Sequence, residues 1–173
     1  MDIKKVLTMS HKILSNASIP HALIGGLALG FHNVHRFTND VDFLVGNENR
    51  LELKKAFLSH GFQIAAETSE VIHLTGLGFV DILFASRQLS QAVIKNAEII
   101  PGLKIPCCSV EDIIGLKIQA YKNSTNREYQ DKADIQALIE RHEKTIKWKK
   151  IKEYAQLFDE WDTVQEIRKK VSS

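Results

Sequence analysis

The sequence predicts an α+β (mixed α/β) fold: a small mixed sheet flanked by helices, followed by a helical C-terminal part. Three observations carry this. Short apolar runs bounded by glycine, as in His21–Ile24, Val41–Val45 and Phe79–Phe84, have the length and composition of strands. They alternate with amphipathic stretches of helical period. After about residue 107 only helical patterns remain, so strands and helices come first and helices alone follow.

The elements follow in order. Ile3, Val6, Leu7, Ile13 and Leu14 recur at helical spacing over residues 3–16, and Pro20 breaks the pattern. A strand at 21–24 runs into Gly25-Gly26, and residues 27–34 read as a helix. Val41–Val45 is a strand closed by Gly46-Asn47. A helix over 49–59 ends before Gly61. Residues 62–66, 71–75 and 79–84 read as strands, and Gly76 and Gly78 suggest a hairpin between the last two. A helix at 88–96 and two extended pieces around Pro101-Gly102 follow. Ser109-Val-Glu-Asp112 has the form of a capping box and opens a helix running to about Lys122. Further helices cover 128–142 and, as one or two pieces, 147–171, where Trp148, Ile151, Ala155, Phe158, Trp161, Val164, Ile167 and Val171 form an apolar stripe. The expected division is a core over 1–106 and a helical region over 107–173 packed on it.

Composition sets bounds on function. Hydrophobic residues make up 44% of the 173 and charged residues 25%, an ordinary balance for a globular chain. No apolar run approaches the ~20 residues that span a bilayer, and Met1–Ser10 lacks the pattern of a signal peptide. The two cysteines, Cys107 and Cys108, are adjacent, which fits neither a disulfide framework nor zinc spacing; a cytoplasmic setting is expected. Residues 141–173 carry a net charge of +3 against −1 for the rest. Lys144, Lys147, Lys149, Lys150 and Lys152 would suit RNA phosphates or a solvated helix face.

The chemistry lies in the carboxylates. Asp40 and Asp42 are two apart at the start of a strand, so both project from the same face. Two carboxylates there repel unless a cation lies between them. Asp81 is the only charge in Phe79-Val-Asp-Ile-Leu-Phe84, and a lone aspartate in such a run must be paired or bind metal. Placed beside the first strand it would complete a three-carboxylate cluster suited to magnesium or manganese, which take oxygen ligands from protein and from substrate phosphates. Gly25-Gly26 lets backbone N–H groups approach an anion. Ile113, Leu116, Lys117 and Ala120 share one helical stripe, which turns Lys117 inward. His32 and His35 read as a helix-end surface pair, and His73 as surface or site rim.

Gly25-Gly-Leu-Ala-Leu-Gly30 followed by Arg36-Phe-Thr-Asn-Asp-Val-Asp-Phe-Leu-Val45 resembles the signature of the nucleotidyltransferase superfamily, with its DNA polymerase β-like fold. The branches with a Gly-Gly turn are most similar: AbiEii-type toxin relatives and aminoglycoside- and lincosamide-modifying enzymes. The resemblance covers roughly residues 20–140. It implies metal ligation by Asp40, Asp42 and Asp81, with Asp81 also the candidate base. It implies nucleotide contacts from Gly25, Gly26, Arg36, Thr38 and Lys117, and supporting roles for Arg127 and Asp131. Where many members have Gly-Ser, this chain has Gly26, which leaves only backbone contacts at that point.

The activity expected from the resemblance is transfer of a nucleoside monophosphate from an NTP, with Mg2+ or Mn2+, to an acceptor that is RNA, protein or a small hydroxylated molecule. A catalytically silent nucleotide- or partner-binding module of the same fold is the alternative. The C-terminal stripe would pack on the core or on a second subunit in a homodimer.

Overall fold

The computed structural model describes residues 2–171. The chain divides into two compact units, Met1–Ala28 with Arg36–Cys108, and Leu29–His35 with Ser109–Ser173.

The first unit contains α1 (Ile3–Asn16), β1 (His21–Ile24), the start of α2 (Gly25–Phe31), β2 (Asp40–Gly46), α3 (Arg50–Ser59), β3 (Gln63–Glu67), β4 (Val71–Thr75), β5 (Phe79–Ala85), α4 (Gln88–Lys95), β6 (Glu98–Ile99) and β7 (Pro106–Cys107). Helix α1 begins where Asp2 accepts the Lys4 N–H at 3.1 Å, satisfying a donor that a helix start leaves unpaired. Its apolar stripe, Val6, Leu7, Ile13 and Leu14, is buried.

The strands form one sheet in the order β3-β4-β5-β2-β1-β7-β6. The two extended pieces expected around Pro101-Gly102 are the short strands β7, paired with β1, and β6 at the edge of the sheet. The pairs β2–β5 and β1–β7 are parallel, and the others are antiparallel. Strand β2 is central, and Val41, Phe43 and Val45 on one of its faces are fully buried. Val80 and Ile82 on β5 join them, so this face anchors the strands whose other face carries the aspartates. Arg50 ties the β3–β4 turn down. It donates to the carbonyls of Thr68 and Ser69 and to Glu67, and stacks 3.9 Å from the centre of the Phe84 ring.

The second unit contains α5 (Val110–Asn123), α6 (Glu128–His142), α7 (Trp148–Gln156) and α8 (Trp161–Val171). The run 147–171 is therefore two helices, separated by a turn with Asp159 in the left-handed region at φ 57°. Ile151, Ala155, Val164 and Ile167 from the stripe are buried within this unit.

Ser109 caps α5, accepting the Asp112 N–H at 3.3 Å. Asp112 does more than complete a cap. Its fully buried carboxylate accepts from Tyr154 Oη at 2.6 Å and from Lys150 Nζ at 2.7 Å. Lys150, read as a phosphate contact or solvated charge, instead joins α7 to α5. A buried carboxylate needs such a partner, and tertiary packing supplied it from 38 residues further along the chain. Cys107 and Cys108 are buried. Among the described residues no helix is long and apolar enough to cross a membrane.

Candidate metal and nucleotide site

The parallel register of β2 and β5 sets Asp42 beside Asp81 and Asp40 beside Phe79. The two-residue spacing puts Asp40 and Asp42 on one face, and the register puts Asp81 on that face too. One oxygen from each of Asp40, Asp42 and Asp81 lies within 4.8 Å of the others, and all three residues are partly exposed. At that separation, with an effective dielectric of about 20, each pair of charges repels by roughly 3 kcal/mol. A hard divalent cation relieves this repulsion, and an all-oxygen donor set matches its preference.

Hydrogen-bond partners hold the outer carboxylates. The Thr38 hydroxyl donates to Asp40 Oδ1 at 2.5 Å. His73 sits opposite Asp81 on β4, with Nδ1 at 2.7 Å from Asp81 Oδ1. His73 was read from sequence only as surface or rim. The signal that could have found it is the hairpin itself: folding β4 against β5 about Gly76-Leu-Gly78 brings position 73 level with position 81.

The glycine turn abuts the acidic face. Gly25 has φ +67°, in the left-handed region, and a Cβ there would overlap the Asp42 carboxylate. Two separate constraints thus require glycine. At Gly26 an added Cβ would lie 2.8 Å from both Cβ and Oγ1 of Thr38. The departure from Gly-Ser is explained by this neighbour, whose side chain fills the space a serine would need. Arg36 precedes Thr38 on the exposed loop leading into β2.

Lys117, Arg127 and Asp131 come together in the second unit. Lys117 is 6% exposed, and its Nζ lies 2.9 Å from Asp131 and 2.5 Å from Asp134. Arg127 Nε is 3.8 Å from the other Asp131 oxygen, at ion-pair rather than hydrogen-bond distance. Asp134, which the sequence reading did not single out, is thus the second partner of Lys117. The spacing of Asp131 and Asp134, three apart on α6, was the available signal.

Solved structures share this fold. The antibiotic-resistance factor ANT(2'')-Ia in solution matches with TM-score 0.67 at 17% identity, over 96% of this chain and 97% of that one. An antigenic nucleotidyltransferase-like protein from Paracoccidioides brasiliensis gives TM-score 0.57 at 19% identity, over 97% and 92%. The lincosamide antibiotic adenylyltransferase LnuA, lincomycin-bound, gives 0.55 at 14%, over 80% and 96%. None of the curated proteins compared matches this sequence. The family model described as "Nucleotidyl transferase AbiEii toxin, Type IV TA system" matches residues 9–170. With the diglycine turn, the paired aspartates and nearly the whole chain accounted for, this protein belongs to the AbiEii nucleotidyl transferase family.

Proposed function

We propose that this protein transfers a nucleoside monophosphate from an NTP to an acceptor hydroxyl, releasing pyrophosphate, at a divalent-cation site formed by Asp40, Asp42 and Asp81. The observation that carries the reading is the convergence of three carboxylate oxygens within 4.8 Å on one sheet face, beside a glycine turn that leaves no room for a side chain.

Mg2+ or Mn2+ bound there would offset the triphosphate charge and that of the leaving pyrophosphate. The protein's own groups do the rest. Asp40 and Asp42 hold their oxygens on one face through strand geometry. The backbone amides of Gly25 and Gly26, with Arg36, bind and orient the phosphates, while Thr38 supports the turn through its hydrogen bond to Asp40. Asp81 takes the proton as the acceptor oxygen forms its bond to the α-phosphorus and the bond to the β-phosphate oxygen breaks. Lys117, whose ammonium is buried between Asp131 and Asp134, enters this proposal on the sequence resemblance alone. Asp131 would then act by holding Lys117, and Arg127 through its ion pair with Asp131.

The acceptor is drawn from the classes that similar proteins handle. A structure of ANT(2'')-Ia holds adenylyl-2''-tobramycin and LnuA binds lincomycin, so a small hydroxylated molecule stands beside RNA and protein.

The test is transfer of label from α-labelled NTPs, with Mg2+ or Mn2+, to total RNA, candidate proteins and aminoalcohol antibiotics. Asp42→Ala should abolish transfer while leaving thermal stability equal or higher, since it removes one of three mutually repelling charges. A wild-type protein that binds no NTP with either cation and labels none of these acceptors would overturn the reading.

A further inference from the structure

His73 is 44% exposed at its side chain, and it spends its Nδ1 on Asp81. A carboxylate oxygen accepts, so the ring nitrogen donates its N–H to Asp81. We propose that His73 is a positioning residue for the acidic cluster: its Nδ1–H pins one oxygen of Asp81 and so presents the other to the bound cation. This inference rests on the nucleotide-transfer reading of the same site.

The terminal torsion of an aspartate is broad, so an unheld Asp81 carboxylate would rotate among orientations, few of which point an oxygen at a shared cation. Asp40 meets the same difficulty and is held by the Thr38 hydroxyl. Both outer members of the cluster therefore accept one hydrogen bond from a donor on a neighbouring segment.

The donor itself is rigidly based. Its chain neighbours Ile72 and Leu74 are buried on the opposite face of β4, so the strand cannot roll. The ladder from Val71–Leu83 to Leu74–Val80 fixes the height of His73 against Asp81. Arg50 clamps the turn preceding β4.

The residue type also matters. A lysine opposite Asp81 would form an ion pair and place a fixed positive charge next to the cation, competing with it for the carboxylate. An imidazole on a short side chain offers one N–H in a fixed direction, which orients the carboxylate. Hydrogen-bonded supports of this kind to metal-ligating carboxylates and histidines are worth roughly 10–100-fold in metal affinity or activity.

A series at position 73 separates this role from a structural one. Mn2+ binding is followed by the electron paramagnetic resonance signal of free Mn2+, with ATP present and absent, and label transfer is measured in parallel. His73→Ala should weaken Mn2+ binding roughly 10–100-fold with thermal stability little changed. His73→Asn, whose amide N–H reaches the position of Nδ1–H, should restore most of it. His73→Lys should bind Mn2+ more weakly than His73→Ala.

A metal-free readout accompanies the series. Nitrogen-15 spectra of the histidine rings should show Nδ1–H on His73 in the wild type and lose that preference in Asp81→Asn. Wild-type transfer and Mn2+ binding with an unaffected His73→Ala overturns this inference alone. So does a wild-type His73 protonated only at Nε2. A wild type without Mn2+ binding and transfer overturns the nucleotidyl-transfer reading and this inference with it.

Discussion

Gly25→Ala isolates the contact on which the site's geometry depends. Two costs are expected. Gly25 has φ +67°, and an alanine in the left-handed region costs about 1–2 kcal/mol. For a chain of this size that lowers Tm by roughly 2–8 °C. The second cost is local: the new Cβ would occupy the space of the Asp42 carboxylate, so Asp42 must turn away or the turn must open. Either movement separates Asp42 from Asp40 and Asp81.

Gly102 provides the control. It also has a left-handed φ, +83°, but nothing lies within 4 Å of where its Cβ would be. Gly102→Ala should therefore show a similar loss of stability and no loss of cation binding. The assays are denaturant unfolding, Mn2+ binding and label transfer. Gly25→Ala should lose Mn2+ binding and transfer far beyond what its Tm explains. If the two variants lower stability equally and bind Mn2+ equally, the close approach of Gly25 to Asp42 does not shape the site, and the reasoning fails.

Two further outcomes test the supporting structure. His21 is buried, and burial pushes its pKa down from 6.5 to about 4; the Ile19 carbonyl accepts its Nδ1–H, which leaves Nε2 to accept from His11. Because the folded value lies below the unfolded one, stability from neutral His21 is present above pH 6.5 and lost as pH falls towards 4. The loss should reach about 3 kcal/mol, and His21→Phe should flatten this part of the stability–pH curve. Lys117→Met leaves Asp131 and Asp134 buried without their shared cation, and should cost about 3–5 kcal/mol in urea unfolding. Adding Asp131→Asn and Asp134→Asn to Lys117→Met should recover part of that loss; no recovery would show that Lys117 is not held there by charge.

Much of the fold was readable because local physics decided it. Apolar runs of four to seven residues with a glycine at one end became β1, β2 and β5, and the periodic stretches became α1, α3, α5 and α6 within a residue or two. Where the reading fell short, long-range pairing was responsible. Strands β6 and β7 are two residues each, enough to read as extended pieces around Pro101-Gly102 but too short to show which strands they pair with. Lys150 looked like every other lysine of the basic tail, and only the buried Asp112 makes it different. His73 alternates with apolar neighbours as any half-exposed strand residue does, and its partner emerges only once β4 is folded against β5 about Gly76-Leu-Gly78.

The sequence by itself determined that Asp40 and Asp42 share a face, since side chains alternate along any strand. It also determined that Gly25-Gly26 could bend where other residues cannot. Tertiary structure decided the rest: that β5 lies parallel to β2 with Asp81 level with Asp42, that Thr38 occupies the space beside Gly26, and that Lys117 is held by two aspartates rather than one. The physical reason is range. Strand alternation and backbone sterics act within a few residues, whereas strand neighbours and buried ion-pair partners are chosen by whatever arrangement buries the most apolar surface while leaving the fewest polar groups unpaired.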